Sequence, residues 1–290
     1  MTRLWTIGFT GTALDPLVRW IEERIEKDKV FAFPFAASGK EIATWARDDR
    51  TFYTYDQQPL TSFVMNDVFS AKEPVHKIEE VKFKKGFVYN ERPFSNIDDH
   101  CAALIDYIAS ACSDYERVPL FTSIMRGTYM GRGTAWGRSI TVDDVWKVFN
   151  NKRNYVDEYV NQAGIIHHHA GDFFAVPQED LPTDVDVLYI DPPKLVGTND
   201  IYFKTFANIN KAIGASKDIE FQKWVRKDYL VYMRRVLKAI PAKKIIFTYL
   251  SDTNPTIDEI KTLLEEFGAI DEVETFEHGK RWDYAIVVKC

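Results

Sequence analysis

Residues 184–194 read Asp-Val-Asp-Val-Leu-Tyr-Ile-Asp-Pro-Pro-Lys, and this stretch decides the fold. Asp184–Ile190 is rich in apolar and β-branched residues and predicts a buried strand. The strand runs into Asp191-Pro192-Pro193-Lys194. Two consecutive prolines lack N–H donors and fix φ, so they hold a rigid, non-helical edge with exposed carbonyls. A carboxylate and a carbonyl placed together there can accept both hydrogens of an exocyclic amino group. That arrangement removes positive charge as the nitrogen attacks an electrophile. The plain alternative is a proline turn that does no more than end a strand.

Outward from this stretch, strands and helices alternate. Upstream, Lys29–Phe35 (KVFAFPF) predicts a short buried strand, followed by the small-residue turn Pro34-Phe35-Ala36-Ala37-Ser38-Gly39-Lys40. Glu41–Arg47 reads as the start of a helix, Arg50–Asp56 as a second strand ending in an acid, and Pro59 as the start of another helix. Strand, small-residue turn, helix, strand and acid make half of a doubly wound sheet. Downstream, Glu220–Ile240 predicts an amphipathic helix and Lys244–Leu250 a buried strand. Thr256–Phe267 predicts a helix with Thr256 as N-cap and Gly268 as its stop. Glu272–Glu277 and Trp282–Lys289 predict a terminal hairpin around His278-Gly279-Lys280-Arg281. The expected organisation is an N-terminal part of one α/β domain over residues 1–70, an inserted region over 71–164, and the rest of the domain over 165–290.

Composition agrees with a soluble globular chain. Of 290 residues, 46% are hydrophobic and 28% charged, which excludes disorder, collagen and coiled coil. A chain of this size buries about 75% of its unfolded surface, so it needs no disulfide or metal staple. Three scattered cysteines (Cys101, Cys112, Cys290) form no CxxC pair and fit a reduced, cytoplasmic setting. No run of about 18 apolar residues predicts a membrane span. Asp15-Pro16 interrupts the N-terminal region, so no signal peptide is expected.

The net charge of −6 conceals zoning. Gly171–Asp200 holds seven acids against one base, Lys194. Arg117–Arg153 carries seven Lys/Arg against two acids, and Ile201–Lys244 eleven against three, net +5 and +8. Solvated faces explain such zones in many proteins. The sharper reading is a polyanion groove flanking a site for something cationic.

The turn after the first strand is neither GxGxxG nor GxxxxGK[ST], so no dinucleotide or phosphate-loop fingerprint is present. Its small residues let backbone approach a ligand, and Asp56 stands where nucleotide-binding α/β folds hold ribose hydroxyls. The order of this turn, Asp56, an insertion, Gly171-Asp172-Phe173-Phe174 and Asp191-Pro192-Pro193 resembles the Dam-type DNA adenine-N6 methyltransferases over nearly the whole chain. Tyr89–Phe94 with the helix after it, Tyr202–Ile209 and the closing hairpin are similar to further segments of that family. The resemblance implies a Rossmann-like S-adenosylmethionine-dependent sheet with an antiparallel C-terminal hairpin and a mainly helical target-recognition insertion. It implies S-adenosylmethionine as cofactor and sequence-specific double-stranded DNA as partner, with a restriction or modification subunit as a further one; no membrane partner is expected. Phe9, Phe35, Ala36, Ser38, Gly39, Asp56, Asp172 and Phe173 would then bind the cofactor. Asp191, Pro192, Pro193 and Lys194 would form the catalytic motif.

Two positions depart from the family pattern. Lys194 stands where the family has an aromatic ring that stacks on a flipped base. Base stacking is worth about 1–3 kcal/mol. Either Phe174 or Tyr202 substitutes, or the target is not plain adenine, or activity is impaired. The N-terminal segment Thr6–Thr12 also has glycines and Phe9 but lacks the family's Gly-Lys pair. Within the insertion, Arg126–Arg138 interleaves arginines, glycines and aromatics. Arg126, Tyr129, Arg132, Trp136 and Arg138 are the candidate DNA contacts, against the plain reading of a surface loop. His167-His168-His169 alternate sides on a strand and cannot converge on one ion, so no metal site is expected.

Overall fold

The computed structural model describes residues 14–37, 39–57, 61–62, 65–66, 164–192, 228–251, 253–278 and 281–290. They form α1 (Leu14–Arg24), β1 (Val30–Phe33), α2 (Lys40–Trp45), β2 (Thr51–Asp56), β3 (Ile165–Ala170) and β4 (Val185–Ile190). After these come α3 (Tyr229–Ala239), β5 (Ala242–Leu250), α4 (Ile257–Glu265), β6 (Ala269–His278) and β7 (Arg281–Lys289). The strands make one sheet in the order β3-β2-β1-β4-β5-β7-β6. Strands β1 to β5 run parallel, and β7 lies antiparallel between β5 and β6. This is a doubly wound, Rossmann-like sheet with an antiparallel C-terminal hairpin.

Parallel strands must be covered on both faces, and alternation of side chains supplies two cores. On one face Ala32, Leu188, Ile190, Phe247, Ile286 and Val288 pack with Met233, Val236 and Leu237 of α3 and with Ile260, Leu263 and Leu264 of α4. On the other face Phe31 stacks on Phe52 at 5.2 Å, and Tyr189 meets Phe33 and Trp45, each at 5.2 Å. Helix α4 begins with a capping box, in which Thr256 Oγ1 accepts from the Glu259 amide and Glu259 Oε2 accepts from the Thr256 amide.

Several boundaries differ from the sequence expectation for physical reasons. Strand β1 stops at Phe33 and not Phe35, because Pro34 brings no N–H to the ladder. Gly268 follows α4 as expected, but its requirement is close approach: a Cβ there would lie 2.2 Å from the Lys289 carbonyl. No motif announces α1, although Leu17, Val18, Ile21 and Ile25 recur at helical spacing and are buried. The inserted region up to residue 163, the helix expected after Pro59 apart from Thr61, Ser62, Met65 and Asn66, and residues 220–227 of the expected long helix lie outside the described residues.

Arg50 is 1% exposed, yet among the described residues no carboxylate pairs with its charge directly. Its guanidinium donates to the carbonyls of Ile25 (2.5 Å), Trp45 (2.7 Å), Asp28 (3.1 Å) and Glu26 (3.3 Å), and lies over the Phe31 ring. It thus satisfies chain ends leaving α1 and α2 at the point where β2 begins. Burial is the main cause that lowers its pKa, with Arg47 adding to the effect.

The seam between β1 and β4 pairs Phe31 with Val187 and Ala32 with Leu188. Asp186, on β4, fixes it. Its Oδ2 accepts from the amides of Lys29 (2.9 Å) and Val30 (3.0 Å), while Oδ1 takes the Lys243 ammonium at 2.7 Å. Burial alone would raise this carboxyl; the bonds from Lys243, Lys29 and Val30 outweigh it and hold its pKa below the ordinary carboxylate value. A depressed pKa stabilises the fold above the unfolded value near 3.8, and that stability is lost as pH falls through the folded value. Asp186→Asn should therefore lower the urea midpoint at pH 7 by about 1–2 kcal/mol equivalent. The gap from wild type should narrow as the titration is repeated below pH 4; a gap independent of pH would contradict the assignment.

Candidate functional site

Connections from β1 go one way to β2 and β3, and those from β4 go the other way to β5. The carboxyl ends of β1 and β4 therefore flank a topological switch point, where open α/β sheets bind ligands. Four segments meet this edge: the turn Pro34–Gly39 after β1, Asp56 ending β2, Gly171-Asp172 after β3, and Asp191-Pro192 after β4. Asp56 and Asp191 stand on either side of β1, two strand spacings or about 10 Å apart.

The β1 turn is sealed against the end of β2. The Ala36 amide donates to the Tyr55 carbonyl at 3.1 Å, and the Gly39 amide to the Ala36 carbonyl at 2.9 Å. The Ala37 amide donates to Asp56 Oδ2 at 2.8 Å, and Thr61 Oγ1 donates to the Ala37 carbonyl. Gly39 has φ 67°, a left-handed value that its missing Cβ accommodates, and Ala37 also has positive φ, at 44°. Ala36 and Gly39 are buried, and Phe35 is half-buried against the core. Ser38 and Phe9 lie outside the described residues.

Asp56 also joins the neighbouring turn, since its carbonyl accepts from the Gly171 amide at 2.9 Å. Next to it, Asp172 caps a 3-10 turn over Phe173–Ala175: its Oδ1 accepts from the Phe174 amide at 3.0 Å. Phe173 is 5% exposed and meets Tyr55 edge to face at 5.2 Å, so it is the apolar floor beneath Asp172. Burial, with Tyr53 and Asp180 nearby, pushes the Tyr55 phenol up to about 12. Phe174 is half-buried against Tyr232 at 5.6 Å, with the Arg235 guanidinium 4.6 Å above its ring.

On the far side of the switch point, Asp191 is half-buried and Pro192 buried. Asp191 Oδ1 accepts from Thr248 Oγ1 at 2.9 Å. Thr248 is 4% exposed on β5, one residue beyond the Ile190–Phe247 register pair. The sequence signal for it was slight, a single aliphatic hydroxyl in the run Ile245–Leu250. Pro193, Lys194 and the alternative stacking residue Tyr202 lie outside the described residues, as do Arg126, Tyr129, Arg132, Trp136 and Arg138. The edge thus gathers Phe35, Ala36, Gly39, Asp56, Asp172, Phe173, Asp191 and Pro192.

The histidine triplet forms half of β3, beside β2. His167 stacks on Tyr53 at 4.9 Å. His168 faces the other way, its Nδ1 bonded to Thr54 Oγ1 (2.9 Å) and its Nε2 to Ser62 Oγ (3.0 Å). Among the described residues no group of three His, Cys, Asp or Glu could hold a metal ion, and no helix is long and apolar enough to cross a membrane.

No family model matches the chain, and no curated protein matches it either. Among solved structures, it is similar to one described as "delta-N METTL16 MTase domain", at 10% identity. That likeness covers 98% of this chain and 85% of the other, with a TM-score of 0.36.

Burial, with the charge of His169 adding to it, pulls the His168 pKa down to about 4. The fold thus holds His168 neutral while the unfolded chain protonates near 6.5, so stability falls as pH drops from 6.5 and the loss saturates near 4. Thermal melting between pH 7 and pH 4 should decline less steeply in His168→Gln than in wild type. Equal slopes would remove His168 from the acid response.

Proposed function

We propose that the chain is an S-adenosylmethionine-dependent methyltransferase acting on an exocyclic amino group, the N6 of adenine in DNA, with the base flipped out of the duplex. The observation that carries this reading is the placement of Asp191. It follows β4 beside the switch point, across β1 from Asp56 and its turn, with one oxygen fixed by Thr248.

The residues present suit the cofactor. Two carboxylates, Asp56 and Asp172, sit at neighbouring strand ends and offer acceptors for hydroxyl and amino groups. The turn Phe35, Ala36, Ser38 and Gly39, with Phe9, would take the methionine side, and Phe173 would back the adenine. Local acidity suits a sulfonium cation. When bound, S-adenosylmethionine supplies an electrophilic methyl group. Asp191 and the Pro192 carbonyl would accept the two amino hydrogens and draw positive charge from the nitrogen as it attacks. Arg126, Arg132 and Arg138, with Tyr129 and Trp136, would hold the DNA from an insertion over 71–164 between two parts of the methyltransferase domain, 1–70 and 165–290. A cytoplasmic setting and a restriction or modification partner belong to the same reading.

Lys194 favours a second reading, in which fold and cofactor are kept and the target is another base or RNA. A lysine offers no π-face, but its ammonium reaches a phosphate or base oxygen. Loss of the ring also admits a catalytically impaired nucleic-acid-binding subunit of a modification complex.

Transfer from methyl-labelled cofactor, followed by nucleoside mass spectrometry, tests these readings. The first expects label in N6-methyladenine of DNA. Asp191→Ala should then cut the rate by about a thousandfold, leaving cofactor affinity by calorimetry within about threefold. Label in RNA or in another base selects the second reading. Cofactor binding with no labelled nucleic acid selects the impaired subunit, and full activity in Asp191→Ala refutes the catalytic assignment.

A further inference from the structure

We propose that Thr248 is a positioning residue for Asp191, setting the plane of its carboxylate so that Oδ2 faces the incoming amino group. The inference rests on the methyl-transfer reading above and deepens it.

An aspartate on a loop beyond a strand end has a broad, two-fold terminal torsion, so nothing local fixes which oxygen faces outward. Here a second strand supplies the constraint. Thr248 belongs to β5, which is bonded to β4 on one side and to β7 on the other, with Thr248 opposite Ala285. A β-branched side chain in a strand has a restricted χ1, which makes its hydroxyl a fixed donor. That hydroxyl has two carbonyl-type oxygens in range: Asp191 Oδ1 at 2.9 Å and the Ile190 carbonyl at 3.5 Å. The shorter bond, to a charged acceptor, wins. Behind Thr248 lies the buried Tyr189 phenol, in hydrogen-bonding reach of the same threonine. Its ring is wedged between Phe33 and Trp45. The donor to Asp191 is thus backed by the core, and it is supplied before substrate arrives, so no reorganisation is required during transfer.

The constraint also explains a polar residue where the strand has no structural use for one. In the run Ile245–Leu250 every neighbour of Thr248 is apolar or aromatic, and all six residues are buried. Valine would fill nearly the same volume, so packing alone does not require the hydroxyl, although its loss would also take a partner from the buried Tyr189 phenol.

Thr248→Val and Thr248→Ser, each compared with wild type in the labelled-methyl assay, test the proposal. Thr248→Val should lower kcat about tenfold or more, with cofactor affinity within about twofold. Thr248→Ser should recover most of kcat, since it restores the donor without the methyl group. A purely structural role predicts the opposite, with Thr248→Val as active as wild type and Thr248→Ser destabilised by the lost methyl. If wild type is active and Thr248→Val matches it, the positioning role is overturned while the methyl-transfer reading stands. If wild type transfers no methyl group to any nucleic acid, both fall. If Thr248→Val loses cofactor affinity, or if Thr248→Ser recovers none of the lost rate, the proposal fails.

Discussion

One carboxylate, Asp186, ties the two halves of the sheet together at its amino edge. The turn after β1 and the acid ending β2 belong to one half, and Asp191 with its threonine belongs to the other. The halves meet along β1 and β4, where Asp186 binds the amides of Lys29 and Val30 and is itself tied to Lys243 at the start of β5; the pairs Lys244–Asp28 and Arg24–Glu272 add to the join. A one-residue slip there would shift the strand by about 3.3 Å and turn its side chains to the wrong face. Chemistry that depends on placement loses much of its rate for an error of about 1 Å. An ion pair at the amino edge of the sheet therefore helps to set the geometry of the carboxyl edge.

At that carboxyl edge each acid is tied into the fold by its own side chain. Asp56 binds Ala37 through a side-chain oxygen and Gly171 through its carbonyl; Asp172 caps the turn that follows it; Asp191 is gripped by Thr248. A carboxylate has about four lone-pair directions, so one internal bond orients it without consuming it. The cost of ordering these side chains is met during folding and not on binding.

Much of this was legible in the sequence, and the reason lies in sheet geometry. In a parallel sheet the residue after an apolar run lies at the carboxyl edge, so Asp56 and Asp191 announce their own positions. The strands β1, β2, β4 and β5 and the closing hairpin stand out for the same reason, as apolar runs ended by polar or turn-forming residues. Strand β3 is harder to read: as an edge strand it is polar and largely exposed, and its three histidines suggest chemistry before they suggest pairing. Helix α1 lacks a cap motif. Arg50 reads as a surface charge, because its partners are backbone carbonyls whose convergence only the tertiary fold creates. The Thr248–Asp191 bond joins residues 57 apart in sequence, and no local pattern encodes such a meeting.

Strands β2 and β3 are neighbours, yet residues 57–164 separate them, and the chain leaves at the carboxyl edge and re-enters at the amino edge. Because the strands are parallel, no tight turn can replace this connection; a crossover of about a dozen residues is the minimum. Above that minimum, length costs little: growth from about a dozen to about a hundred residues adds about 2 kcal/mol of closure entropy. The sheet is therefore nearly indifferent to how much chain passes between these strands. Such a joint allows whole cassettes to be exchanged over evolutionary time, or by a protein engineer, while the strand ends stay in register.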